Sequence, residues 1–489
     1  MRKKIASLFA LLLIVWPNFG QDDPFTKSLF ATYDTYKETS LDHRRIRHVD
    51  LRPLIKKLSD NPQFEVSKVG ESIEGRELSL ISIGTGATNV FLWSQMHGDE
   101  PTATQAIFDL CNFLASTDFM EEKAEIFKNL KLHFLPMLNP DGAEVFQRRN
   151  TLGVDINRDA LMLQSPEGKA LKRVRDSLQP DFGFNLHDQS TYYNAERTGK
   201  PATISYLAPA FNYEKDINEV RSNAMKVIVF MNQVLQNYVP GQVGRYNDDF
   251  EPRAFGDNIQ KWGTSAILIE SGGYKDDIEK QYIRKLNYVS ILSAIYTIAK
   301  GSYRNLPVAE YEKIPENDRK LFDLKLEGLT YKLLDKNYIM DVGIHRLEIE
   351  GPRHNDFYYS SRIIDQGDLS TFYGYETFNG KGYTIKPGAV YPQTMPDLAS
   401  LSKLRILDLL RDGYIYVRVG DIPKDKHAVE VPMNIIGSNQ KSPGHKLHIA
   451  AHPNFLLEKD GKNRYAVING FLIDLESGTG NFKNALILK

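Results

Sequence analysis

The sequence predicts an α/β domain, with a mixed or mostly parallel sheet flanked by helices, followed by a smaller, mainly β domain. Three observations carry this. Between residues 64 and 300, short strand-like runs alternate with longer stretches of helical period. Some of those runs, such as VFLWSQ at 90–95, carry no charge at all, which suits strands covered on both faces. Near residue 301 the pattern changes, and short strand-like segments dominate to the end. The 489 residues, 42% apolar and 25% charged, leave room for two or three ordinary cores.

The beginning of the chain reads as a separate object. Arg2, Lys3 and Lys4 precede an apolar run at 5–16, and Pro17 to Gly20 lead into polar residues. This order reads as a signal peptide over 1–20, and hence an exported, periplasmic or extracellular product. The run is short for a membrane span, so no stable membrane insertion is expected. A lead-in segment at 21–49 follows. Residues 50–59 then have apolar positions at helical spacing, with Pro62 as a stop.

Within the α/β part (50–300), strands are expected at 64–69, 77–83, 90–95, 131–137, 181–187, 201–208 and 264–270. Helices are expected after Pro101, which suits a first helical turn, and over 166–178, 212–239 and 276–299. The lone cysteine, Cys111, falls on an apolar helical face and reads as a core residue. Residues 301–316 read as a linker. The C-terminal domain (317–489), of unassigned role, has strand-like stretches at 328–335, 344–351, 413–420, 446–451 and 464–475, interrupted by a helix at 398–410. Asn379-Gly380 and Asn469-Gly470 suggest turns, the second inside a hairpin.

Composition excludes some functions. With 61 basic and 62 acidic side chains, no global field attracts nucleic acid or an anionic membrane. One cysteine rules out an internal disulfide and any metal site built from several thiolates of this chain.

Histidines end two of the strand patterns. His97 opens H-G-D-E, with Glu100 three residues on, and His187 ends DFGFNLH. Sites in open α/β sheets form beyond the carboxyl ends of strands. Two imidazoles and one carboxylate are a catalytic zinc set that leaves a position open for water. Glu270 ends TSAILIE, and a carboxylate at a buried strand end suits the general base and acid of a hydrolase. Asn157 and Arg158 lie side by side and can grip a terminal carboxylate. Arg148 or Arg149 can face an oxyanion. Asn139-Pro140-Asp141-Gly142 reads as a tight turn. His133 reads as a core or hydrogen-bonded residue, and His445, His448 and His452 as scattered residues rather than a second metal site.

MHGDEP, LNPDG, RRNTLGVDINRD, FNLH and ILIE occur in this order across roughly 50–300. In them the chain resembles the zinc carboxypeptidase family, the funnelin or M14-type metallopeptidases, as an exported bacterial member with an extra C-terminal domain. The resemblance implies a carboxypeptidase-like mixed sheet and one Zn2+ on His97, Glu100 and His187. It also implies Glu270 as base and acid, and Asn157 and Arg158 on the substrate's C-terminal carboxylate. For the oxyanion it favours Arg148, from the Arg148-Arg149-Asn150 pattern. Tyr246 is the nearest match to the family's capping tyrosine, with Phe250 or Phe255 as alternatives, and Asp257 would organise the loop or pocket. Asp99 departs from larger digestive members, which carry arginine there; HGDEP looks more like cell-wall-peptide and short-chain members. The implied activity is zinc-dependent hydrolysis releasing C-terminal residues from peptides or peptidoglycan-derived peptides. Alternatives are a cell-wall amidase or endopeptidase, an N-acyl amino acid hydrolase, and a non-catalytic binding protein.

Overall fold

The computed structural model describes residues 23–444 and 446–488. The signal segment at 1–20 and His445 lie outside the described residues.

Eight strands make the first sheet: β1 (Glu65–Glu71), β2 (Glu77–Ile83), β3 (Thr88–Ser94), β4 (Leu130–Leu135), β5 (Phe182–Asp188), β6 (Ile204–Leu207), β7 (Val243–Arg245) and β8 (Ser265–Ser271). Their order is β1-β2-β4-β3-β5-β8-β6-β7. The central run β4-β3-β5-β8 is parallel. The β1/β2, β2/β4 and β8/β6 pairs are antiparallel, which makes the sheet mixed.

The period of two along β3 explains why this sheet is covered on both sides. Val90 and Leu92 enter one core with Ile107 and Leu110 of helix Thr102–Ala115, Ile228 of Glu219–Leu235 and Ile291 of Gln281–Lys300. Phe91 and Trp93 enter the opposite core with Leu171 and Val174 of Pro166–Leu178 and Ile259 of Phe255–Lys261. Cys111 is buried in the first core, and buried His133 is bonded to Ser82 and Asn89.

Local signals set the helix ends. Ser165 caps Pro166–Leu178 by accepting from the Gly168 amide, with proline in the first turn. Asn218 caps Glu219–Leu235, so the helix expected over 212–239 is shorter. Gln281–Lys300 ends at Gly301 with φ +65°, a conformation that costs glycine little.

Several expectations change. The lead-in segment contains a helix, Pro24–Tyr36, whose Phe25, Leu29, Tyr33 and Tyr36 sit in the first core. Residues 301–316 are not a bare linker. They form two 3-10 turns, Ser302–Asn305 and Val308–Lys313, and bury Tyr303, Leu306, Tyr311 and Ile314 in that same core. Asn139-Pro140-Asp141-Gly142 begins a short helix, Pro140–Glu144, rather than a simple turn, because Asn139 accepts from the Gly142 amide.

Beyond residue 317 the chain is largely β. One sheet joins Phe357–Gly367, Lys336–Glu350, Leu321–Leu333, Thr384–Lys386, Phe455–Lys459, Lys462–Ile468 and Phe471–Asp474, and a second has five strands. The last hairpin turns on Asn469 and Gly470, both at positive φ, as a primed two-residue turn requires. Residues 446–451 are irregular rather than a strand; they join no ladder, and Ile449 is half exposed. The helix expected at 398–410 divides into a 3-10 turn, Ala399–Lys403, and a short α-helix, Ile406–Arg411.

Polar contacts stitch the two regions together. Tyr192 donates to Asp323 at 2.8 Å and stacks on His345 at 3.5 Å. Arg44 meets Glu348 at 2.8 Å, and Arg45 meets Glu350 at 2.9 Å. Among the described residues, no helix is long and apolar enough to cross a membrane.

Candidate metal centre

His97 and Glu100 lie on the turn that leaves β3. The Glu100 amide donates to the His97 carbonyl at 3.2 Å and closes that turn. Gly98 is required there: a Cβ would stand 2.1 Å from the Gly142 carbonyl carbon. His187 lies near the end of β5, directly across the parallel ladder from Glu270 on β8.

These placements bring the three expected ligands together. His97 Nδ1 is 2.8 Å from Glu100 Oε1, and His187 Nδ1 is 2.7 Å from Glu100 Oε2. One ligand atom from each residue lies within 4.8 Å of the others, and all three residues are buried. The donor set, with neutral imidazoles, carries one negative charge and complements a dication. His97, Glu100 and His187 therefore form a site able to hold a divalent metal ion such as zinc.

Asp155 was not singled out by the sequence, yet it organises this centre. Its Oδ1 is 3.1 Å from His97 Nε2, which leaves Nδ1 facing Glu100. Its Oδ2 takes Arg148 Nε at 3.1 Å and Nη2 at 3.0 Å. A carboxylate behind a ligand histidine fixes the ring and raises its basicity. The available signal was DINRD, which sets Asp155 two residues before Asn157. Lys280 was also missed. It is buried, 3.0 Å from Asp188 and 2.9 Å from the Ser271 carbonyl, so it grips the residues that follow His187 and Glu270.

Charge sets the protonation of the cluster. Burial disfavours protonated His97, but Glu100 and Asp155 outweigh it and raise its pKa to about 9. Burial also acts on Glu100, but the two histidines hold its carboxyl well below the usual range. Burial, and then the charge of Glu100, push Glu270 well above the usual carboxylate range.

A cleft of about 410 Å³ joins these groups to most of the other expected residues. Arg148, Asn157, Arg158, Tyr246, Asp257 and Glu270 all line it. Arg148 Nη1 lies 3.3 Å from Glu100 Oε1. Asn157 accepts from the Phe255 amide at 2.9 Å, and Arg158 lies 3.4 Å from Glu251. Asp257 accepts from the Glu251 amide, and burial raises its pKa to about 6. Burial, and then the charge of Glu270, push the Tyr246 phenol upward, and both residues line the cleft. Arg149 is the exception. It donates to the Gly153 carbonyl at 2.9 Å from the surface and does not line the cleft. His448 and His452 join no metal-ligating group among the described residues.

With the geometry in place, comparison with known proteins adds a family. The sequence model of the zinc carboxypeptidase family matches residues 52–186, a stretch that holds His97 and Glu100 and stops one residue before His187. Carboxypeptidase SOL1 of Arabidopsis thaliana is 32% identical over 120 residues, covering 21% of this chain and 24% of that protein. A probable carboxypeptidase 2 of Trichophyton verrucosum is 30% identical over 131 residues, covering 26% and 24%. Among solved structures, a metallo-carboxypeptidase from Burkholderia cenocepacia aligns with a TM-score of 0.42 at 17% identity, over 52% of this chain and 69% of that one. The chain spans about a quarter of the length of these curated relatives.

Proposed function

We propose that this protein is a zinc-dependent metallocarboxypeptidase that releases C-terminal residues from peptides. One observation carries the reading: the Nδ1 atoms of His97 and His187 meet the two oxygens of Glu100 in a cleft where Glu270 stands opposite His187. Zinc bound by these three residues supplies a Lewis acid that polarises a carbonyl and acidifies water.

The chain's own groups do the rest. Glu270 removes a proton from the attacking water and delivers it to the departing amine nitrogen. Arg148, held by Asp155, donates to the developing oxyanion. Arg158 and Asn157 hold the substrate's terminal carboxylate. Arg158 meets Glu251 only at 3.4 Å, a contact that a substrate carboxylate can replace. Tyr246, which lines the same cleft as Glu270, closes over the substrate, and Asp257 shapes the pocket. The reaction is direct addition and elimination, without an acyl-enzyme.

A cell-wall peptide is the substrate class that the HGDEP turn favours, and the basic-then-apolar start supports export to where such peptides occur. The test compares matched peptides with free and amidated C-termini, alongside muropeptides. Stepwise release from free ends, with amidated peptides resistant, supports the reading; equal cleavage of both refutes it. Arg158→Ala should raise KM for free-ended peptides about 10- to 100-fold, the loss of a charge-assisted contact. An unchanged KM would remove Arg158 from its assigned role.

A further inference from the structure

We propose that His43, Asp50 and His354 form a second metal site, for zinc or a similar divalent transition metal, which clips the α/β region to the β region. One ligand atom from each of these residues lies within 4.8 Å of the others, the same criterion that the His97–Glu100–His187 set meets. The three come from distant places. His43 precedes the helix His48–Ser59, Asp50 is the third residue of that helix, and His354 lies between strands Lys336–Glu350 and Phe357–Gly367.

The local bonding leaves ligand atoms free to converge. Asp42 Oδ1 lies 2.8 Å from His43 Nδ1, which orients the ring and leaves Nε2 for a metal. Asp50 accepts from the Arg47 amide through Oδ2, within the helix's capping box, and its other oxygen remains for coordination. His43 and Asp50 are half-buried and His354 is exposed, so water can complete the shell. Two imidazoles and a carboxylate suit zinc, and nickel or copper would compete for the same donors.

The surroundings hold the site in place without metal. Arg44 to Glu348 and Arg45 to Glu350 bind the lead-in segment to the strand before His354. Arg45 also lies 4.5 Å over the ring of Phe357, just after the loop. Of the nearby cations, Arg353 is paired with Asp356 at 2.7 Å, and Arg47 Nε lies 4.0 Å from Asp50 Oδ2, the oxygen not offered to the metal. None of the three ligands lines the catalytic cleft, so the site is structural and does not depend on the peptidase reading.

The test is zinc stoichiometry by equilibrium dialysis on the metal-stripped full chain, repeated with cobalt to read the ligand field by visible absorption. Wild type should bind two equivalents and His354→Ala one. A His97→Ala/His187→Ala variant should keep one equivalent and lose it when His354→Ala is added. Zinc should raise the melting temperature of the His97→Ala/His187→Ala variant, and His354→Ala should abolish that rise. Should this variant fail to fold, wild type against His354→Ala decides alone. The proposal is overturned if wild type and His354→Ala bind the same number of equivalents. If wild type binds a single equivalent, which His354→Ala removes and His97→Ala/His187→Ala keeps, the catalytic centre fails and this site stands.

Discussion

Removing Asp155 is the sharpest test of how the His97–Glu100–His187 cluster is held. Its two carboxylate oxygens divide their work. Oδ1 stands 3.1 Å from His97 Nε2, and Oδ2 takes Arg148 at 3.0 and 3.1 Å. Asp155→Ala removes the partner that fixes the His97 tautomer and frees the arginine that faces Glu100. Loss of such a supporting carboxylate typically costs about 10- to 100-fold in metal affinity, or about 1.4–2.7 kcal/mol. We expect that loss at the His97–Glu100–His187 site, read by competition with a chromophoric zinc chelator in a His354→Ala background, together with a fall in kcat from the displaced Arg148. Arg149→Ala is the control, because Arg149 only bonds the Gly153 carbonyl from the surface, and it should change neither quantity. Unchanged zinc affinity in Asp155→Ala would refute the claim that Asp155 orients the ligand.

Two further outcomes concern the fold. Arg284 and Asp109 form a fully buried pair joining helices Gln281–Lys300 and Thr102–Ala115, with Arg284 Nε 2.7 Å from Asp109 Oδ2. Arg284→Met leaves the buried Asp109 carboxylate without its cation, held only by the Tyr33 hydroxyl and the Glu38 amide, and should cost about 3–5 kcal/mol in urea unfolding. Equal midpoints in wild type and Arg284→Met would contradict this. Burial, assisted by the charge of Arg319, lowers the pKa of His345 to about 4. The unfolded chain then binds more protons between about pH 6.5 and pH 4, so this group's contribution is complete above pH 6.5 and is lost as pH falls through that window. His345→Phe should reduce the stability drop between pH 7 and pH 5 by on the order of 1 kcal/mol, and identical pH profiles would exclude the effect.

The parts of the molecule that could be read from sequence are those whose cause is local. Apolar runs ending in histidine or glutamate marked β3, β5 and β8, and the polar residue at each strand end became a group in the cleft. Val90 to Trp93 are buried on alternating sides, as a charge-free central strand implies. Features that depend on distant partners were not legible. Asp155 acts only because the loop folds back onto His97 and Arg148, and the DINRD run marks its place without saying what it touches. Tyr303 and Tyr311 fall on 3-10 turns and Leu306 and Ile314 just after them, so no 3.6-residue face announced their burial. Phe25, Leu29, Tyr33 and Tyr36 do follow a helical period, behind an Asp23-Pro24 start, so this helix has a local cause. At 446–451 the residues look strand-like, but the sheet edge bonds them only at Ile363, through Ala450 and Ala451, which is too little for a ladder.

The central claim is that a metal-dependent hydrolase uses Glu270 as its proton carrier. The most direct measurement is turnover of a free-ended peptide by Glu270→Gln, with the zinc content of the same preparation determined. The account requires the catalytic zinc to remain while kcat falls by about 10²- to 10⁴-fold, the range supplied by a positioned general base. Wild-type turnover by a zinc-loaded Glu270→Gln enzyme would contradict it.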